Sequence, residues 1–150
     1  MNQSSMKLPK AEMLERALAR ELGGGKAGEV VRKASDRYDD LYAERKQYEN
    51  RALRQHLEGN ILPGIALYQT LLEDPEAQQR SMDLVEAAFR EWAAPNRRFM
   101  ERLGRLPFFY GLMRVLIKPM MRRSFPAEGW ETEWVEASGE ALAFNMTRCF

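Results

Sequence analysis

The two residues best suited to chemistry by type and position are neighbours near the end of the chain, Arg148 and Cys149. A guanidinium on the same side as a thiol would favour the thiolate, which is the reactive form. Neighbours in a strand, however, point to opposite faces, and a lone cysteine is more often a small buried apolar residue. Two interpretations of Cys149 therefore stay open, a reactive thiol and a packing residue.

The chain has one histidine, His56, and its imidazole is the only ordinary base near neutral pH. The hydrophobic pattern places His56 close to the end of a long helix, where its charge would help satisfy the terminal carbonyls. We take this structural role as the simpler interpretation and a catalytic role as the alternative. One histidine and one cysteine give no metal-ligand spacing, so we expect no metal site and no other cofactor.

The last part of the chain predicts a β-hairpin after Gly129. Side chains alternate over 130–135 and again over 141–148, and Ser138-Gly139 supplies the turn. Trp130 and Trp134 fall on the same side of the first strand and predict an apolar wall, which either packs on helices or stacks on a planar ligand. Two strands alone are marginal in water, so this hairpin must pack on helices, pair with another chain, or belong to a sheet whose other strands are absent.

Helical periodicity dominates everything before the hairpin. In chain order, it first predicts a helix over 9–22, a glycine hinge or linker at 23–25, a long helix over 29–57 that Gly59 ends, and a core helix over 61–72 capped by Asn60. These are followed by a helix from Asp74 to Pro95, a short basic helix over 96–103 and an apolar segment over 106–121. The long helix carries one apolar stripe that only Arg45 interrupts.

These elements predict an α+β fold that is mostly helical, with five or six helices followed by a C-terminal antiparallel β-hairpin. We expect residues 1–27 to form an N-terminal helix with its glycine-rich linker. Residues 28–150 are then a single helical domain that carries the hairpin, a size that supports one hydrophobic core.

Charge is balanced, since 23 Lys and Arg residues face 22 Asp and Glu residues. No overall field attracts nucleic acid, so we expect no nucleic-acid partner. The N-terminus lacks the apolar run of a secretory signal and a single cysteine excludes an intrachain disulfide, which together indicate a cytoplasmic location.

The apolar segment 106–121 is the one candidate for membrane contact. Prolines and charges interrupt it well short of the ~20 apolar residues that a membrane span needs. Its basic residues recur at helical spacing beside apolar ones, but membrane-surface contact is not expected, because a buried helix with a basic outer face explains the pattern more simply.

Three segments in order carry a resemblance to a known family. They are Asn60–Tyr68 (NILPGIALY), Gly129-Trp130 at the start of a strand, and Phe144–Cys149 (FNMTRC) at the end of one. Over roughly residues 28–150 the chain resembles the L-2-amino-thiazoline-4-carboxylic acid hydrolase family. The resemblance implies a bacterial cytoplasmic hydrolase that opens a small sulfur-containing ring and converts 2-amino-thiazoline-4-carboxylate to N-carbamoyl-cysteine.

Members of that family continue past the Arg-Cys strand with further strands, an additional cysteine and acidic residue, and a late Cys-Asp-Phe segment, whereas this sequence stops at Phe150. We therefore expect a hydrolase-like domain, with a truncated or inactive form as an open alternative.

The family reaction implies roles for five residues of this chain. It requires attack on the amidine-like C2 of the ring, a base, and a cation for the substrate carboxylate. Cys149 would be the nucleophile or a wall of the site, and His56 the base. Arg148 would anchor the carboxylate because a guanidinium pairs with it bidentately, Tyr68 would donate or accept a hydrogen bond, and Trp130 would contact the substrate.

A second function from a different class stays open, a non-catalytic helical module that binds an apolar small molecule or another protein through the hairpin edge and the apolar segment. We also expect a homodimer, because a chain with two strands gains most by completing a sheet with its twin.

Overall fold

The computed structural model describes residues 8–138 and 140–149. In chain order, the helices and strands are α1 (Ala11–Leu22), α2 (Gly24–Glu44), α3 (Arg51–His56), a π-helical segment (Leu57–Ile61), α4 (Leu62–Leu72), a short 3₁₀ helix (Gln78–Arg80), α5 (Ser81–Gly104), α6 (Phe109–Ser124), β1 (Trp130–Ala137) and β2 (Leu142–Cys149). The predicted fold class is confirmed, since a mostly helical chain precedes an antiparallel two-stranded sheet.

Contacts divide the described chain into two compact units. Unit 1 comprises residues 8–47 and 55–97, and unit 2 comprises residues 48–54 together with the described residues from 98 onward. These units meet at 47/48, 54/55 and 97/98, and the predicted domain boundary at residue 27 stays a prediction.

Unit 1 contains the hydrophobic core. Helices α1, α2 and α4 and the first part of α5 each direct an apolar stripe into one cluster, which Leu14, Val30, Leu67, Leu71 and Leu84 exemplify with exposures of 1% or less. The predicted core helix is confirmed as α4, whose buried residues include Leu62, Ala66, Leu67 and Leu71. Burial on this scale contributes most of the stabilisation of such a helix bundle.

The predicted glycine linker is wrong. Gly23 alone leaves the helical region, with φ of 83°, and its N–H donates to the Ala19 carbonyl, which closes α1. Gly24 and Gly25 already belong to the first turn of α2. A single left-handed glycine is enough to end one helix and begin the next, so no extended linker is needed.

The predicted long helix over 29–57 is also wrong, because the chain leaves α2 at Arg45, which is extended (φ −62°, ψ 148°). Helical structure resumes at Arg51, after the side-chain oxygen of Asn50 accepts the N–H of Ala52. Gly59 and Asn60 neither end nor cap a helix, since both lie inside the π-helical segment that continues into α4.

Pro95 does not end its helix. Helix α5 continues through this exposed proline to Gly104, although an interior proline removes one hydrogen bond from the helix. The helix from Asp74 begins later than predicted, because Asp74 accepts the N–H groups of Glu76 and Ala77 and caps a turn that precedes the 3₁₀ helix and α5.

Candidate functional site

The five candidate residues fall into two groups. His56 and Tyr68 belong to unit 1, while Trp130, Arg148 and Cys149 belong to unit 2.

The hairpin register brings the three unit 2 candidates together at the open end of the sheet. Trp130 pairs with Cys149, and Glu131 pairs with Arg148. A bulge between Glu131 and Thr132 follows directly, so the strand resumes with Thr132 opposite Met146. A second register shift lies between Trp134 and Glu136, nearer the turn. A bulge increases the local twist and redirects neighbouring side chains. The predicted turn residue Gly139 lies outside the described residues.

The turn that leads into β1 is closed by backbone hydrogen bonds. The N–H groups of Gly129 and Trp130 both donate to the Pro126 carbonyl, at 3.0 and 3.1 Å. The Asn50 side-chain amide also donates to the Glu128 carboxylate at 2.5 Å. These bonds fix the backbone on one side of the candidate group.

Arg148 is exposed and reaches back to this turn. One terminal nitrogen of its guanidinium donates to the Ala127 carbonyl at 3.3 Å. That bond uses one of the five N–H donors of the guanidinium and holds its long side chain near the turn. A planar cation held in this way suits bidentate recognition of a carboxylate.

Trp130 is buried, with 3% of its surface exposed, and meets the ring of Phe125 edge to face at 5.3 Å. Trp134 is half-buried, lies 5.3 Å from the ring of Phe144, and has the Lys118 ammonium 5.3 Å from its ring centre. Two roles are predicted for the tryptophan wall, packing and stacking on a planar ligand. Trp130 fits packing, since a buried indole has no open face on which a ligand could stack.

Cys149 is described by its backbone only, as the last residue of β2. Its side chain lies outside the described part of the chain, so both interpretations of its thiol stay predictions. The structure fixes its pairing with Trp130.

His56 lies at the point where α3 passes into the π-helical segment. The side-chain nitrogen of Asn60 lies 3.1 Å from His56 Nδ1, and since an amide nitrogen donates, Nδ1 accepts and the neutral ring carries its proton on Nε2. Burial lowers the pKa of His56 below its ordinary value of 6.5, so the imidazole is neutral at pH 7. The predicted capping role is wrong, because the chain stays helical beyond His56 and leaves no helix end there.

Tyr68 is half-buried on α4. The helix that carries it is held by buried neighbours on both sides, Leu67 and Leu71, each fully buried. Tyr68 therefore sits on a rigid element, which is the property that a positioning hydrogen bond requires.

A polar cluster beside His56 escaped the sequence prediction. Arg45 Nε donates to the Glu58 carboxylate at 2.7 Å, and its guanidinium lies 3.4 Å from the ring centre of Tyr42. The hydroxyl of Tyr38 donates to the Glu58 carbonyl at 3.0 Å. Burial raises the pKa of Tyr38 to about 12, so this hydroxyl stays protonated and keeps its hydrogen bond.

This cluster fastens the end of α2 to the π-helical segment. Segments of π-helix are uncommon and often occur at functional sites, and here the segment begins immediately after His56. Arg45 was the available signal in the sequence, since it was the one residue that interrupted the apolar stripe. A charged residue on an apolar stripe indicates that the helix ends there and that the charge has a specific partner, rather than that the helix continues.

An open groove of about 690 Å³ lies elsewhere in unit 1, between the N-terminal turn, α1 and α2. Leu8, Met13 and Val31 give it apolar walls, and charged residues such as Glu15 and Arg32 lie at its sides. None of the five candidate residues lines it.

No group of three or more His, Cys, Asp or Glu side chains is arranged to hold a metal ion in the described part of the chain. Nor do residues 8–138 and 140–149 contain a helix with the length and hydrophobicity needed to cross a membrane.

Comparisons of the chain with protein-family models, with curated proteins and with solved structures found no match.

Proposed function

We propose that this chain is a hydrolase-like domain that binds a small cyclic amidine carboxylate at the open end of its hairpin and opens the ring by hydrolysis. The observation that carries the proposal is the register, which pairs Trp130 with Cys149 and Glu131 with Arg148 at the same end of the hairpin. The three segments that resemble the L-2-amino-thiazoline-4-carboxylic acid hydrolase family thus coincide with a core helix and the two facing strand ends.

The reaction needs one water and no cofactor. Water adds to C2 of the ring and the C2–S bond breaks. Of the two protons that the water loses, one passes to the departing sulfur and the other to the ring nitrogen, so that a carbamoyl group remains on nitrogen. His56 belongs to unit 1, where its ring is neutral at pH 7 and its Nδ1 accepts from Asn60, and its role as a general base stays a prediction of the resemblance. A cytoplasmic location is part of the same proposal.

Arg148 would hold the substrate carboxylate through the donors that its bond to Ala127 does not use. Cys149 would act as nucleophile or as a wall of the site. The hydrogen-bonding role of Tyr68, which belongs to unit 1, stays a prediction of the resemblance. In the thiolate version, the sulfur of Cys149 adds to C2, and the ring C2–S bond breaks as the ring sulfur takes the proton given up by Cys149. Water then adds to C2 and the bond from C2 to Cys149 breaks, which restores the thiol and leaves the carbamoyl group.

The direct test is incubation of the protein with 2-amino-thiazoline-4-carboxylate while ring opening is followed by mass spectrometry as the gain of one water. Arg148→Met should raise KM about 10- to 100-fold, as expected for loss of a charged hydrogen-bond pair. Arg123→Met, which removes an exposed arginine from α6 instead, should leave KM unchanged. An intact ring after prolonged incubation with the wild-type chain would contradict the proposal.

Two further variants separate the versions of the mechanism. Cys149→Ser should abolish turnover if the thiolate attacks, whereas unchanged turnover would leave only attack by water. His56→Asn should lower kcat by about 10²–10⁴-fold. The wild-type rate should fall as the pH drops through the pKa of His56, with the midpoint below 6.5, because a protonated imidazole cannot accept the proton.

The outer edge of the hairpin favours a second candidate function, a non-catalytic module that dimerises or binds another protein. Among the described residues the sheet has two strands, and Phe144 and Met146 of β2 are both exposed. A homodimer that pairs two such edges would extend the sheet. Light scattering should then report a dimer that Met146→Lys dissociates, and a monomer at micromolar concentration would exclude this candidate.

A further inference from the structure

Helix α6 carries apolar side chains that the rest of the described chain leaves uncovered. No residue of α6 is buried, and Val115 is 71% exposed. Leu112, Leu116 and Met120 are exposed as well, at 39–48%. The predicted burial of the apolar side of this segment is therefore wrong.

The exposed side chains share one face of the helix. At 100° per residue, Leu112, Val115, Leu116 and Met120 fall within less than half a turn, and Phe108, just before the helix, extends the same row. The residues of the neighbouring face, Phe109, Met113, Ile117 and Met121, are half-buried. We call the exposed row, 108, 112, 115, 116 and 120, the α6 stripe.

Such a stripe is unusual for a protein surface. Single exposed apolar residues are normal, whereas contiguous rows of large ones mark surfaces that bind a partner or a membrane. Val115, at 71%, is the most exposed large apolar residue on the described chain, and Phe108 is 63% exposed. We therefore expect the α6 stripe to bind a partner or a membrane.

The charged residues around the α6 stripe indicate what it binds. Between residues 98 and 124 the chain has a single acidic residue, Glu101, against seven basic ones, which are Arg98, Arg102, Arg105, Arg114, Lys118, Arg122 and Arg123. Arg122 borders the α6 stripe on one side and Arg123 lies at its C-terminal end. Arginine can lay its stem along an apolar surface and keep its guanidinium at the level of phosphate groups.

The combination matches an anionic lipid surface. An amphipathic helix with an apolar row and basic flanks lies in the plane of the membrane interface, with its apolar face at the boundary between headgroups and acyl chains. Membranes with anionic lipids attract such basic segments, and aromatic residues such as Phe108 and Tyr110 are common at that depth. The balanced charge of the whole chain conceals this local excess.

We propose that α6 docks the protein on an anionic phospholipid bilayer, with the α6 stripe in the interface and the flanking arginines on the lipid phosphates. Helix α6 lies flat on the surface and does not span the bilayer. This function is independent of ring hydrolysis at the hairpin.

The test is cosedimentation of the full chain with vesicles of phosphatidylcholine, with and without phosphatidylserine. We expect binding to the phosphatidylserine vesicles at low salt, release by added salt, and much weaker binding to phosphatidylcholine alone. No binding at low salt, or equal binding to both kinds of vesicle, would overturn the proposal.

A matched pair of variants locates the contact. Val115→Asp places a charge on the α6 stripe and should lower vesicle binding by roughly tenfold or more. Val135→Asp makes the same change on β1, at a valine that is 63% exposed, and should leave binding unchanged. Circular dichroism checks that both variants keep their helices, and equal binding by the two would overturn the proposal.

A further variant reports vesicle binding by a change in fluorescence, so its readout does not require that binding be lost. Leu112→Trp puts an indole on the α6 stripe, and its fluorescence should shift to shorter wavelength when phosphatidylserine vesicles are added. Val135→Trp should show no such shift. If the Leu112→Trp signal instead shifts with protein concentration in the absence of lipid, while light scattering reports a dimer that Val115→Asp dissociates, a second copy covers the stripe and the membrane proposal is wrong.

Discussion

In unit 1 the apolar side chains of α1, α2, α4 and the first part of α5 bury one another, whereas in unit 2 those of α6 and the hairpin remain in contact with solvent. Of the fifteen exposed large apolar residues on the described chain, twelve belong to unit 2. Both regions are rich in apolar residues, so composition does not distinguish them. In unit 1 the apolar stripes of the helices face one another, whereas in unit 2 the apolar side chains of α6 and the hairpin do not. Unit 1 is therefore stabilised by its own core, while the apolar surface of unit 2 is available for binding.

The largest expected effect concerns two adjacent leucines of α4. Leu71 is fully buried in the core of unit 1, and Leu72 is 37% exposed. Leu71→Ala should lower the free energy of unfolding by about 2–5 kcal/mol, because it removes buried methyl groups and leaves a cavity. Leu72→Ala should lower it by less than about 1 kcal/mol. Urea unfolding followed by circular dichroism measures both, and similar losses would contradict the account of unit 1 as the rigid core.

The next-largest expected effect concerns the cap and the ion pair that Asp74 makes within unit 1. Asp74 is buried, caps the turn before α5 and pairs with the Lys26 ammonium of α2 at 2.5 Å. Asp74→Ala should cost about 1–2 kcal/mol because it removes the cap and the ion pair together. Asp74→Asn keeps an acceptor for the backbone N–H groups and should cost less. Exposed Asp83 of α5 provides the control, since Asp83→Ala should have little effect on the urea midpoint.

The same pair predicts a dependence on acid. The hydrogen bond from Lys26 holds the pKa of Asp74 below its ordinary value of 3.8. A lowered pKa in the folded state means that the stabilisation is present above about pH 3.8 and is lost as the pH falls through the folded pKa. The stability difference between wild type and Asp74→Asn should therefore shrink at low pH, and a constant difference would contradict the ion pair.

A smaller effect, about 1 kcal/mol, is expected at the joint between α2 and the π-helical segment. Tyr38→Phe removes the hydroxyl that donates to the Glu58 carbonyl. Burial raises the pKa of Tyr38 from 10.0 to about 12, so the folded chain keeps the proton where the unfolded chain loses it. Wild-type stability should fall between about pH 10 and 12 more steeply than that of Tyr38→Phe. Parallel profiles would show that the hydroxyl is not buried.

The fold class and the core helix α4 could be predicted because periodicity reports directly on burial, as Leu67 and Leu71 illustrate. The ends of the helices could not, because tertiary contacts decide them. Arg45 leaves the helix to reach Glu58 and Tyr42, contacts that a local pattern does not contain. At Pro95 the helix continues although the local rule predicts an end.

The candidate site was predictable in part for the same reason. Alternation predicted the hairpin and hence the strand ends that carry Trp130 and Arg148. It did not predict the bulge after Glu131, which determines which residues stand opposite one another. Nor did it show that Trp130 would be buried against Phe125, because which rings meet depends on the turn at 126–129.

The smallest expected effect is in unit 2. It tests whether the α6 stripe is exposed to solvent in the free protein. Leu116 of the α6 stripe is 39% exposed, so Leu116→Ala should change the free energy of unfolding by less than about 0.5 kcal/mol. This value should not depend on protein concentration, since no second chain contributes to it. A loss comparable to that of Leu71→Ala would mean that the stripe is covered in the free protein. If that loss also grew with protein concentration, the cover would be another copy of the chain, because only association links stability to concentration.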